Sequence, residues 1–174
     1  MTRFTDPARP LAAIVLFAAM GLTIGVDAAP AQEAPRDWVI VASNEGAGLG
    51  IDRSSIERDG DVATVSVLMG KFRAEVFEPG HDVRYHVSRE AFDCRLKTRT
   101  ELTVLSYGSS DRLNGPVPAS SQVRDVVPGS LADFVLVAAC DPSVEEDAPG
   151  FERPLDAINH ERDERLSQGR AVNE

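Results

Sequence analysis

Val127-Pro128-Gly129-Ser130-Leu131-Ala132-Asp133-Phe134-Val135-Leu136-Val137-Ala138-Ala139-Cys140 joins a chain break to a capped apolar run that closes on a cysteine. Pro128-Gly129 breaks the chain. Ser130 followed three residues later by Asp133 then gives a capping-box-like start, in which side-chain oxygens satisfy the free N–H groups of a first helical turn. The spacing predicts a helix over residues 131–139. Leu131, Phe134, Val135 and Ala138 fall at i, i+3, i+4 and i+7, and Leu136 and Val137 widen the stripe, so one face is apolar enough to lie on a sheet.

Upstream of that helix the pattern is strand from residue 37 to 107. Residues 38–42 are β-rich, residues 49–52 form a shorter run, and Asp59-Gly60 is a turn before a third run at 62–69. Pro79-Gly80 breaks the chain again. Val83, Tyr85 and Val87 alternate with Arg84, His86 and Ser88, the period of a strand with one buried and one wet face. A further strand is expected over residues 98–107, with Leu102 and Val104 on one face. Asn114-Gly115-Pro116 reads as a turn that leaves room for a short last strand. The fold class is therefore α+β: an antiparallel sheet of five or six strands with one C-terminal helix.

The ends of the chain read differently from its middle. Residues 1–31 have the form of a bacterial secretory signal: Arg3 and Arg9, an apolar stretch over residues 11–26, then small residues that place cleavage after Ala31, or alternatively after Ala28. The apolar stretch is shorter than the roughly 20 residues that span a bilayer. Cysteine is absent before Cys94, so the mature chain is expected to be exported to the periplasm or beyond without a lipid anchor. Residues 32–140 form the domain. Residues 141–174, with ten acids, four bases and few large apolar side chains, are expected to be an acidic tail, disordered or marginally helical.

Charge narrows the partners. The 174 residues carry 18 basic and 28 acidic side chains, a formal net charge of −10, which excludes a surface built to neutralise nucleic-acid phosphates. Two cysteines in an exported chain pair, so Cys94 and Cys140 are expected to form a disulfide tethering the helix end to a central strand. A redox-active pair needs close spacing such as Cys-x-x-Cys, which is absent.

These residues also form an ordered set. Trp38 opens the domain; Gly50-Ile51-Asp52 is followed by Ser55-Ile56; Asp93-Cys94, Tyr107 and Gly115 come next; and Val127-Pro128-Gly129-Ser130 leads into a helix ending Ala139-Cys140. In this set the chain resembles the surface-adhesin protein E family of Gram-negative bacteria over about residues 37–140. The resemblance implies an antiparallel sheet with a disulfide-tethered C-terminal helix. It further implies, after the characterised adhesin, contact with host matrix and plasma proteins, display at the outer membrane, and a homodimer.

No catalytic, cofactor or metal constellation is legible. His81 and His86 are an odd number of residues apart on one strand and so face opposite ways, and His160 lies far along the chain. Nucleophile-elbow, Ser-x-x-Lys and His-Glu-x-x-His motifs are absent. Ser130 is accounted for by capping. Gly46, Gly48 and Gly50 lead into a strand rather than a helix, so they suit a hairpin and not a phosphate loop. Arg84, His86, Arg95, Lys97 and Arg99 are expected to concentrate positive charge into a patch for an anionic partner, unless acids such as Glu90, Asp93 and Glu101 pair with them.

The leading reading is a non-enzymatic envelope protein that acts by protein–protein contact through a sheet face or edge, with adhesion as one form of it. The alternative is a periplasmic binding module for a small or anionic ligand, and a third reading is a hydrolase with an unrecognised site. N-terminal sequencing of the exported protein is expected to begin at Gln32, or at Ala29 for the alternative cleavage; recovery of residues 1–20 on the mature chain would overturn the export reading.

Overall fold

The structure is a computed structural model that describes residues 35–78 and 81–169. The expected signal segment and the Pro79-Gly80 break lie outside those residues. Strands β1 (Trp38–Ser43), β2 (Ala47–Asp59), β3 (Val62–Glu78), β4 (His81–Asp93), β5 (Thr98–Tyr107) and β6 (Leu113–Val117) pair antiparallel in sequence order. A two-residue β7 (Arg124–Asp125) joins the free side of β5 near its start, pairing Thr98 with Asp125. Helix α1 (Leu131–Cys140), a short 3-10 turn (Pro142–Glu145) and helix α2 (Pro154–Ser167) complete the order.

Local chemistry accounts for the elements that sequence places well. Gly60 adopts φ of 58° in the β2–β3 hairpin, a conformation that costs glycine little. The Ser130 hydroxyl accepts from the Asp133 N–H at 3.3 Å, while the Asp133 carboxylate accepts from the Gly129 N–H at 2.8 Å, so the start of α1 is closed from both sides. Asp52 is wholly buried, and its carboxylate accepts from the Asp37 N–H, the Ser54 N–H and hydroxyl, and the Arg36 guanidinium. Ser55 then donates its hydroxyl to the Asp52 carbonyl and accepts from the Ser66 N–H. These bonds occupy the irregularity between Asp52 and Glu57, where the β2–β3 register shifts.

Both faces of the sheet are covered. On one, Val39, Ile51, Val65, Val67 and Phe92 pack under Val135, Leu136, Ala138 and Ala139 of α1. On the other, Trp38, Leu68, Phe72 and Tyr85 pack with Ala157 and Ile158 of α2. Cys94, just after β4, is disulfide-bonded to Cys140, the last residue of α1.

Four expectations are corrected. The buried face of α1 is turned from the predicted stripe: Val135 and Ala138 are inside, but Leu131 and Phe134 are 41% and 50% exposed, because Leu136 and Ala139 take the sheet side instead. Arg84 and Ser88 do not line a wet face of β4; both are buried, since each side of that strand meets a further layer. Asn114-Gly115-Pro116 lies within β6, and the chain turns earlier, at residues 108–112, where Asp111 has φ of 57°. Leu102 is the extra residue of a register shift in β5 opposite Arg89 and Glu90, which breaks its expected alignment with Val104.

The segment after Cys140, expected to stand outside the fold, joins it through residue 169. Trp38 and Phe151 exchange backbone hydrogen bonds of 2.8 and 2.9 Å along the outer side of β1. Ile158 then seats against Gly70: a Cβ at that glycine would lie 2.3 Å from an Ile158 side-chain carbon. Polar anchors fix the rest of α2. Ser43 donates to Glu161 at 2.5 Å, Arg165 donates to the Ser43 hydroxyl at 3.0 Å, and Arg84 donates to the Asn159 side chain at 2.9 Å. A few well-placed contacts replace the broad apolar stripe that sequence analysis looked for.

Two substitutions test this architecture. Cys94→Ser opens a 46-residue loop and is expected to lower unfolding free energy by about 4 kcal/mol in urea denaturation. Gly70→Val is expected to cost about 2 kcal/mol by displacing Ile158, with protease cleavage in residues 154–167 before the sheet is cut. Equal proteolysis of α2 in the wild type and in Gly70→Val would contradict the docking contact.

Candidate functional site

The sheet face that carries α1 is only partly covered by it. Cross-strand registry places Leu49, Met69 and His86 in one row, Ile51, Val67, Ser88 and Val104 in the next, and Val65, Glu90 and Glu101 in a third. Val117 of β6 pairs with Val104, and the first turn of α1 supplies Leu131, Ala132 and Val135 on the opposite wall. Apart from Ile51 and Val65, which are buried in the core with α1, these residues bound a half-open chamber of about 520 Å³, within the range of small-ligand sites.

The chamber is apolar along most of its length and charged at one place. Glu90 is 3% exposed, and its two carboxylate oxygens accept from the Ser88 hydroxyl at 2.7 Å and from the Arg99 guanidinium at 3.2 Å. Glu101 stands directly opposite Glu90 on β5, and one of its oxygens accepts from the Ser120 N–H at 3.1 Å. Burial of Glu90 is tolerated because the paired guanidinium and hydroxyl replace water at both oxygens.

A second feature lies on the outer side of α1. Phe134 and Val137, at i and i+3, are exposed there, with Val127 exposed before the helix and Val144 after it, while Leu131 is exposed at the rim of the chamber. Apolar side chains contiguous in this way are what a protein surface ordinarily hides.

The basic residues expected to make one patch are separated. Arg84 and Arg95 stand eleven residues apart along β4 and its following turn, roughly 35 Å at about 3.3 Å per residue. Arg84 is buried beside α2, donating to the Phe72 carbonyl and Asn159, and burial, then the charge of Arg162, lowers its pKa from the ordinary arginine value. Arg95 pairs with Asp61 at 3.1 Å, and Lys97 is exposed in the β4–β5 turn with φ of 57°. Only His86 and Arg99 share a site, the chamber, and there Arg99 is paired with Glu90. Sequence reasoning passed over Glu90 except as a surface ion-pair partner. Its alternation with His86 and Ser88 carried the signal, once that side of β4 is known to be covered.

The other face holds a smaller polar cleft. Tyr85 and Tyr107 stack with ring centroids 4.7 Å apart, and the Tyr85 hydroxyl donates to Asp111 at 2.9 Å. Burial, followed by that bond to a carboxylate, pushes the Tyr85 phenol well above its usual pKa. Asp111 in turn meets Arg153 at 3.5 Å, which ties the β5–β6 turn to the start of α2. Among the described residues, no group of three or more His, Cys, Asp or Glu is placed to hold a metal ion.

The family model for surface-adhesin protein E matches residues 38–141, from the first residue of β1 to the residue after Cys140. The chain belongs to the surface-adhesin protein E family. Two solved structures are similar to it, one of Haemophilus influenzae protein E and one of protein E from non-typeable Haemophilus influenzae, each at 15% identity and a TM-score of 0.45. The first match covers 59% of this chain and 83% of that one, the second 76% and 95%. No curated protein matches the sequence.

Within the family region, Trp38, Asp52, Cys94, Tyr107 and Cys140 take the structural parts described above, so the ordered set in the sequence marks a scaffold. Helix α2 lies beyond the matched residues. Among the described residues, no helix is long and apolar enough to cross a membrane. Family membership makes this an adhesin-like envelope protein and suggests a non-enzymatic one.

The Glu90–Arg99 pair supports the chamber wall. Arg99→Ala leaves a buried carboxylate short of its cation and is expected to cost about 2 kcal/mol, allowing for the partial exposure of Arg99. Urea denaturation at neutral pH measures it, and an unchanged midpoint would show the pair to be dispensable.

Proposed function

We propose that the protein acts in the envelope or at the cell surface by protein–protein contact, of an adhesive kind, through the outer face of α1. The observation that carries this reading is the exposed pair Phe134 and Val137, one turn apart on the outer side of α1. Phe134, which the apolar periodicity assigns to the core, is half exposed although it is the bulkiest side chain of α1. Large aromatic side chains surrounded by smaller apolar ones are the usual anchors of protein interfaces. Membership of an adhesin family supports the same class of activity, as does the expected export of the chain.

The sheet edges are less suited to that role. Pro116 lies in β6 and has no N–H to offer a docking strand, and Phe151 already pairs with β1 at Trp38. Contact is therefore assigned to the helix face.

A photo-crosslinking residue placed at Phe134 in intact cells is expected to yield adducts of discrete mass, whereas the same residue at Asp59, the exposed last residue of β2, yields none. Phe134→Glu should weaken binding of the captured partner by about thirtyfold, as loss of an interface anchor does, with the melting temperature unchanged. Equal adducts at both positions, or none at Phe134, would remove this face from consideration.

A further inference from the structure

We propose that the chamber bounded by β2, β3, β4, β5, β6 and the first turn of α1 is a binding site for a small amphipathic cation. Its apolar body lies along the trough, and its ammonium head sits between Glu90 and Glu101. This goes beyond protein contact on the outer side of α1, since the chamber faces the sheet.

Three observations carry it. The first is shape: a cavity of about 520 Å³ with walls of Leu49, Val67, Met69, Val104, Val117 and Leu131 offers apolar surface to a ligand of modest size. The second is charge. Glu90 and Glu101 occupy directly paired positions on neighbouring strands, where like charges repel, and Arg99 supplies one positive charge against their two negative ones. The third is hydrogen bonding. A carboxylate has about four lone-pair sites, and each oxygen of Glu90 accepts a single bond from Ser88 or Arg99, so acceptor capacity is left over on a carboxylate that solvent reaches little.

An ammonium group has three donors and no acceptor, which matches that remainder. It cancels the surplus negative charge and takes up hydrogen bonds that solvent reaches poorly. A carboxylate or phosphate head would instead be brought against two glutamates in a protein of net charge −10, which repels anions at a distance as well. A neutral head gains the walls and forgoes the electrostatic attraction. The ion pair to Arg99 explains how Glu90 is tolerated in the fold, and the Ser120 N–H occupies one oxygen of Glu101; neither supplies a second positive charge beside the open apolar trough.

Octylamine, octanol and octanoate, each below its micelle concentration, provide the test with the full mature protein and isothermal titration calorimetry. Octylamine is expected to bind one per chain and about tenfold tighter than octanol, with octanoate silent, the size of one favourable charge contact in a partly shielded site. Glu101→Gln, whose side chain is partly exposed and holds no ion pair, should reduce the octylamine advantage to about that of octanol. Glu90→Gln should act likewise where it folds, and Val104→Trp, which fills the trough, should abolish binding of both octylamine and octanol. Asp61→Asn, outside the chamber, should change nothing. Octanoate binding as tightly as octylamine, octylamine binding that Glu101→Gln leaves intact, or an equal loss in Asp61→Asn would each overturn the proposal.

Discussion

Apolar side chains project from both faces of one sheet, and neither set is stable against water. Val39, Ile51, Val65 and Phe92 need a cover on one side, Trp38, Leu68 and Tyr85 on the other. The chain meets this constraint in order. Six strands are laid down in sequence, α1 returns over the first face, the disulfide fixes its end beside β4, and the segment beyond carries α2 round to the second face. The chamber exists because α1, at ten residues, is too short to cover the whole of its face. The open area runs from the start of β2 across β3, β4 and β5 to β6, beside the first turn of α1.

Polar groups inside this sandwich set geometry. Asp52 gathers four donors from the start of β1 and the β2 bulge, so the first hairpin cannot slip its register without stranding a buried carboxylate. Arg84 links β4 to the Phe72 carbonyl and to α2 through Asn159. Glu90 links β4 to β5 through Arg99. Each is a buried polar residue on a strand, and each is held by hydrogen bonds to named partners, which favours one arrangement of the core.

Much of this was legible in the sequence wherever the signal was local. Ser130 and Asp133 marked the start of α1, Asp59-Gly60 marked a hairpin, the limits of β5 followed from its pattern, and two cysteines in an exported chain implied their pairing. What depended on distant partners was hidden. Helix α2 shows little amphipathic character because its place is set by one glycine on β3, by Ser43 on β1 and by Arg84 on β4, none of which is near it in the chain. The face of α1 was misassigned for a related reason: a helix apolar almost all round can turn either way, and Leu136 and Ala139 fit the sheet better than Leu131 and Phe134. Glu90 looked like a surface acid because strand alternation reports which side a residue takes and leaves open what lies above it.

Pro116 in β6 and the Trp38–Phe151 bridge on β1 have a meaning for crowding. A molecule held at high density in an envelope meets its own copies constantly, and a bare strand at either margin would let them join end to end into an extended ribbon. One margin here lacks a donor at its centre, and the other begins already paired with the chain's own later segment. Neighbouring copies therefore collide without a template for growth, and any association among them has to proceed through side chains, where it can be specific and reversible.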